Sequence, residues 1–124
     1  MSQTKAQLVS QVSDAQKNTT AGSNAGDSFT GTDANNNTLI GYEAGTAITT
    51  ADDNTAIGRR ALYTNTTGLR NTACGKNALY SNTTANHNTA VGSAALDENT
   101  TGSENTSIGY NTLGVNTTGS SNVA

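Results

Sequence analysis

Few residues in this chain could do chemistry, and they do not converge. His87 is the single histidine and Cys74 the single cysteine. Acid–base or nucleophilic catalysis needs such groups gathered on one pocket, whereas His87 sits beside Asn86 in a turn-like stretch, where a solvated imidazole is expected. Asp52, Asp53, Asp97, Glu98 and Glu104 fall near chain corners, where carboxylates could hold a hard cation such as calcium. Their positions do not recur, so no ladder of metal sites is implied and a solvated surface is expected. Arg59, Arg60, Arg70 and Lys76 cluster and call for anionic partners. Asn-Thr-Thr triplets begin at Asn18, Asn65, Asn82, Asn99 and Asn116; they match glycosylation acceptors, but corner chemistry already explains them. These residues predict no enzyme, no cofactor and no metal.

The elements that must position these residues are set by a repeat. Asn37, Asn54, Asn71, Asn88, Asn105 and Asn122 are each separated by 17 positions. Loop insertions are thermodynamically cheap, so a spacing kept over five intervals implies coils stacked in one fixed geometry. The composition agrees. At 32% hydrophobic and 4% aromatic, without Trp or Pro, and with a mean hydropathy of -0.53, one chain has little for an ordinary core. Disordered chains this polar usually carry high charge or many prolines, yet here only 12% of residues are charged and the net charge is -3. Asn, Thr, Ser and Gly supply the polarity, and they suit tight turns and stacked ladders. No basic block suggests nucleic acid, and no apolar run suggests membrane insertion or a leader.

Three regions follow. In residues 1–17, Leu8, Val12 and Ala15 form a short stripe at helical spacing, consistent with a helix or an attachment arm that docks on a partner. Residues 18–36 carry a broken copy of the repeat and read as a cap, with Phe29 plugging the end of the stack. Residues 37–124 are the regular array, five coils and a partial sixth. Because it stops three residues into a coil, a longer parent or a stacking partner is expected to continue it.

Within the array, the columns predict a strand over positions 1 to 4 of each coil, ended by Gly41, Gly58, Gly75, Gly92 and Gly109, where the backbone must turn through positive φ. Strand side chains alternate. The column Ile40, Ile57, Cys74, Val91 and Ile108 is expected to point into the coil, with Leu62, Leu79, Leu96 and Leu113 closing the core from a second strand. The opposite column, Leu39, Ala56, Ala73, Ala90 and Ser107, would then face outward. Small residues stacked there suggest close packing between sister chains, whose acids would be the favoured partners of the arginines and Lys76; an anionic host-surface glycan is the other. The Gly of each Asn-Thr-Thr-Gly corner is expected to be left-handed.

At NTAIGRRAL, NTACGKNAL and NTAVGSAAL the array resembles the head repeats of trimeric autotransporter adhesins. The longer NTAIGxxALxxNTTG form resembles repeats of bacteriophage tail fibres. The resemblance covers about two thirds of the chain and implies a left-handed parallel β-roll that associates as a homotrimer. The expectation is therefore an all-β parallel solenoid serving as a structural fibre or spike of a virion. Its N-terminal segment would attach to tail or capsid proteins, and its shaft would project toward the host. Two departures stand out: Thr replaces an apolar second residue, and the coil is longer than in the adhesin heads. Two other roles fit a solenoid. An ice-binding face would use Thr columns at positions 2, 13 and 14, and a bacterial surface adhesin would need a leader and anchor that this sequence does not display.

Overall fold

A computed structural model describes residues 16–29 and 33–124. Leu8, Val12 and Ala15, the residues expected to attach the chain, lie outside the described residues. Among those described there is no helix. Six strands follow in order, β1 (Thr19–Ala21), β2 (Thr38–Ile40), β3 (Thr55–Ile57), β4 (Thr72–Cys74), β5 (Thr89–Val91) and β6 (Thr106–Ile108). They form one parallel sheet with neighbours in sequence order, in the register the repeat sets: Thr38 on Thr55, Thr55 on Thr72, Thr72 on Thr89. The chain is a parallel β-solenoid. At about 4.8 Å per strand, the six strands span roughly 24 Å.

Each coil contributes one three-residue strand, not the two expected. The cause lies in the backbone after the turn glycine. Positions 7, 9 and 17 all take positive φ in coil after coil, for example Arg60 at 58°, Leu62 at 52° and Arg70 at 54°, and no extended run survives between them. The rest of the perimeter is bonded to its neighbours nevertheless. In one coil the amide of Arg60 donates to Tyr42 O of the coil below at 2.9 Å, and those of Leu62, Thr64 and Thr66 donate to Ala78 O, Tyr80 O and Thr83 O of the coil above at 3.0, 3.1 and 3.0 Å. Coil-to-coil hydrogen bonding, rather than a second sheet, satisfies the backbone.

The described residues 18–29 and 33–36 add a coil to the stack. Thr19 pairs with Thr38, an offset of 19 where the array has 17, so this coil carries two extra residues. Phe29 is half-buried against the lower end of the core, in contact range of Gly26.

The strand alternates as predicted but with the faces exchanged. Leu39, Ala56, Ala73, Ala90 and Ser107, expected as outward contacts, are completely buried. Ile40, Ile57, Val91 and Ile108, expected as core, point outward and are 40%, 40%, 37% and 61% exposed, and Cys74 between them is partly exposed. The reason is the width of the coil. Ala44, Ala61, Ala78 and Ala95 stand on the facing wall, and Leu62, Leu79 and Leu96 fill the centre from position 9. The strand wall therefore has room for a methyl group and not for a branched chain. The leucines lie where expected, with Leu113 partly buried in the last full coil. Each holds a left-handed backbone, φ 52°, 51°, 52° and 49° for Leu62, Leu79, Leu96 and Leu113, a conformation costing about 1–2 kcal/mol per residue that apolar burial offsets.

Two buried asparagine ladders complete the interior. At position 1, Asn54 Oδ1 accepts from the backbone N–H of Asn71 at 2.9 Å, and Asn71 Oδ1 from that of Asn88 at 3.0 Å. The Asn71 amide group also donates to Ala85 O at 2.8 Å. At position 12, Asn82 Nδ2 donates to Asn65 Oδ1 at 2.8 Å, and Asn99 Nδ2 to Asn82 Oδ1 at 3.2 Å. Both columns are fully buried from Asn54 to Asn99. Asn is used because one short side chain supplies both an acceptor and two donors along the stacking direction.

Candidate interaction surfaces

The turn glycines sit at the end of each strand. Gly41, Gly58, Gly75, Gly92 and Gly109 have φ between 127° and 138°, and a Cβ on Gly58 would stand 2.7 Å from the backbone of Gly75. The corner glycines Gly68, Gly102 and Gly119 are not left-handed, contrary to expectation. A Cβ on Gly68 would run into Asn65 Oδ1 as that coil is packed, but the place itself accepts a methyl group: Ala85 fills it three residues after Asn82, and Ala51 fills it in the first coil. The left-handed residue is two positions later, where Asp53, Arg70, His87, Glu104 and Ser121 have φ of 54–61°.

Beyond these turns, three outward features remain. The first is the outer face of the sheet. Thr and Ile alternate around the buried Ala, so Thr38, Thr55, Thr72, Thr89 and Thr106 stand beside the Ile40 to Ile108 column on one strip. No hydroxyl of these threonines bonds within the described chain. The position 13 threonines differ: Thr66, Thr83 and Thr100 donate to the carbonyls of Thr83, Thr100 and Thr117 at 3.2, 3.2 and 3.0 Å, so that column braces the coils and presents no free hydroxyl row.

The second feature is the strip after the turn glycines. Arg60 Nε lies 2.6 Å from Glu43 Oε2, and this hydrogen bond, more than any other influence, holds the Glu43 carboxyl below its ordinary range. The Arg60 guanidinium also lies 5.4 Å from the centre of the Tyr63 ring. Tyr63 stacks on Tyr80 with centroids 5.0 Å apart and planes 8° from parallel. Arg59 lies 5.9 Å from the Tyr42 ring centre. Of the buried side-chain polar atoms described, Asn77 Oδ1 alone lacks a hydrogen-bond partner.

The third feature is the corner column, where Arg70 Nε is 3.5 Å from Asp53 Oδ2. Arg60 and Arg70 thus find acids in their own chain, one coil below, where sister-chain acids were expected. Above them His87 is exposed, its backbone N–H donating to Leu69 O at 3.0 Å. Asp52 accepts the Asn35 N–H at 2.7 Å. Asp97 is the acid pushed upward, by burial first and then by neighbouring Glu98. Among the described residues, no three His, Cys, Asp or Glu gather as a metal site, and no helix is long and apolar enough to cross a membrane.

Searches against family models, curated proteins and solved structures returned no match to this chain.

The sequence reading overlooked the two asparagine ladders. Their signal was present: position 1 is Asn in every regular coil, and position 12 is Asn in all but the first, where Ile48 stands. It also placed Cys74 inside the coil, whereas it interrupts the outward apolar column.

Proposed function

We propose that this chain is a rod-forming structural segment, a fibre or spike component of a phage virion, and that three copies associate through the outer face of the sheet. The observation that carries this reading is the uncovered apolar column Ile40, Ile57, Cys74, Val91 and Ile108, which follows the sheet over five successive strands. Branched apolar side chains aligned on a flat face are a self-complementary surface, and a symmetric homo-oligomer covers it with the same residues from every copy. Contact through this face, rather than through the buried Ala column, is the form the trimer takes. Left-handed winding and attachment through residues 1–17 complete the proposal and rest on the resemblance to adhesin-head and tail-fibre repeats. A rigid backbone, bonded coil to coil around its perimeter, suits a shaft that must transmit position without bending.

The free Thr column beside the Ile column favours one other reading, an ice-binding face, since it presents hydroxyls and methyl groups on a regular flat strip. The two readings compete for the same surface. Thermal hysteresis by the purified chain, lost in Thr72→Tyr, would establish ice binding and displace the fibre reading. Absence of hysteresis together with a trimeric mass supports the fibre.

A further inference from the structure

The charges of the array are sorted by height. Residues 54–87, two full coils, hold four cations, Arg59, Arg60, Arg70 and Lys76, and no carboxylate. Residues 88–124 hold three carboxylates, Asp97, Glu98 and Glu104, and no cation; residues 33–53 hold four carboxylates and no cation. The middle of the rod is a positive band between two negative ones.

Within the band, Arg60 and Arg70 are neutralised by Glu43 and Asp53. Arg59 and Lys76 form no salt bridge among the described residues; Glu43, already bonded to Arg60, acts on Arg59 only through space and as a lesser influence. They occupy consecutive places in one column, each directly after a turn glycine and each exposed, with their backbones one coil apart, about 4.8 Å. Like charges placed directly opposite across a ladder destabilise it. The fold does not demand them, because Ser93 fills the next place in the same column. Packing against Tyr42 holds Arg59 to the surface of the rod, which lowers the entropy lost when it is ordered by a ligand.

We infer that the Arg59–Lys76 column is a binding site for a short acidic saccharide lying along the rod, with its carboxylates on the two cations. The hydroxyl group of Ser93 flanks the pair from above in the same column and suits a polyhydroxylated ligand, while that of Tyr42 below is turned to the Glu43 carboxylate. One sugar residue is comparable in length to one coil, so neighbouring sugars meet neighbouring coils. The acidic bands above and below limit the ligand to a few charges and repel a long polyanion such as nucleic acid. The site is complete in a single chain. Three copies around an axis parallel to the rod would place equal residues at equal heights, so a sister chain brings no carboxylate level with it.

The test uses the full chain, titrated by calorimetry with trigalacturonate, neutral galactotriose and a short oligothymidylate. Arg59→Ser/Lys76→Ser borrows the side chain found at Ser93, and circular dichroism melting checks that it folds; Arg70→Ser removes one charge of the same band elsewhere. The inference expects trigalacturonate to bind, galactotriose to bind far more weakly, the double variant to lose about fivefold or more in affinity, and Arg70→Ser to change it by less than about twofold. No uronate binding, loss in Arg70→Ser as large as in the double variant, or tighter binding of oligothymidylate than of trigalacturonate would overturn it.

Discussion

Leu39 occupies the space that Gly45 leaves open: a Cβ on Gly45 would stand 2.8 Å from both δ-methyls of Leu39. In the next coils the arrangement is reversed, with Ala56 opposite Leu62 and Ala73 opposite Leu79, all fully buried. The large side chain has moved from position 9 to position 3 and the core volume is kept.

This exchange makes a cycle of variants informative. Leu39→Ala should cost about 2–5 kcal/mol through an unfilled cavity, and Gly45→Leu alone should be destabilising through overpacking. The double variant reproduces the Ala56 and Leu62 pair and should recover much of the loss, read as positive coupling in urea denaturation. Additive losses would show that the two positions do not share one space.

The asparagine ladder predicts a different signature. Asn71→Ala leaves the Asn88 N–H without its partner and removes one of the two donors to Ala85 O, which keeps Asn82 Nδ2 at 3.1 Å; the one buried unsatisfied group should cost about 1–3 kcal/mol. Asn71→Asp should be similarly damaging, because an ionised carboxylate keeps the acceptor but cannot donate to Ala85 O. Substituting exposed His87 with Ala should change the melting temperature little.

Two acids should shape the pH profile in opposite senses. The Glu43 carboxyl is held below its ordinary value by Arg60, so its contribution is present above the unfolded pKa and is lost as pH falls through the folded one. Glu43→Gln should remove that acid-side loss. Asp97 is raised by burial and by Glu98, so between its ordinary and its raised value stability falls as pH rises. Asp97→Asn should flatten that decline and leave the protein more stable at neutral pH, measured by chemical denaturation across the range.

How much of this was legible in the sequence depends on what fixed it. The coil length, the parallel register and the strand-ending glycines of residues 37–124 follow from spacing, because a repeat kept at 17 residues places equal positions over one another in every coil. The direction of the strand did not follow, since Thr-Ala-Ile alternates equally well either way and isoleucine usually belongs inside. What decides it is the far wall of the coil, where left-handed leucines and the buried Asn65, Asn82 and Asn99 leave room only for Ala. The exchange between Leu39 and Gly45 was the one trace of that volume in the sequence. Arg60 with Glu43 and Arg70 with Asp53 were readable as residues 17 apart, the same offset as the repeat, once columns are read for charge as well as for size.

The inverted strand also separates folding from assembly. Ala73→Glu buries a carboxylate with no partner and should prevent folding, whereas Ile57→Glu changes an outward residue and should still fold, with the circular dichroism spectrum of the parent and a melting temperature lowered only by the lost association.

The central claim is that the outward Ile column is covered by sister chains. Sedimentation equilibrium of the intact chain tests it most directly, with Ile57→Glu run beside it under the same conditions. A trimeric mass is expected for the parent and a folded monomer for the variant. A parent chain that stays monomeric across micromolar concentrations, or a trimer indifferent to Ile57→Glu, would contradict it.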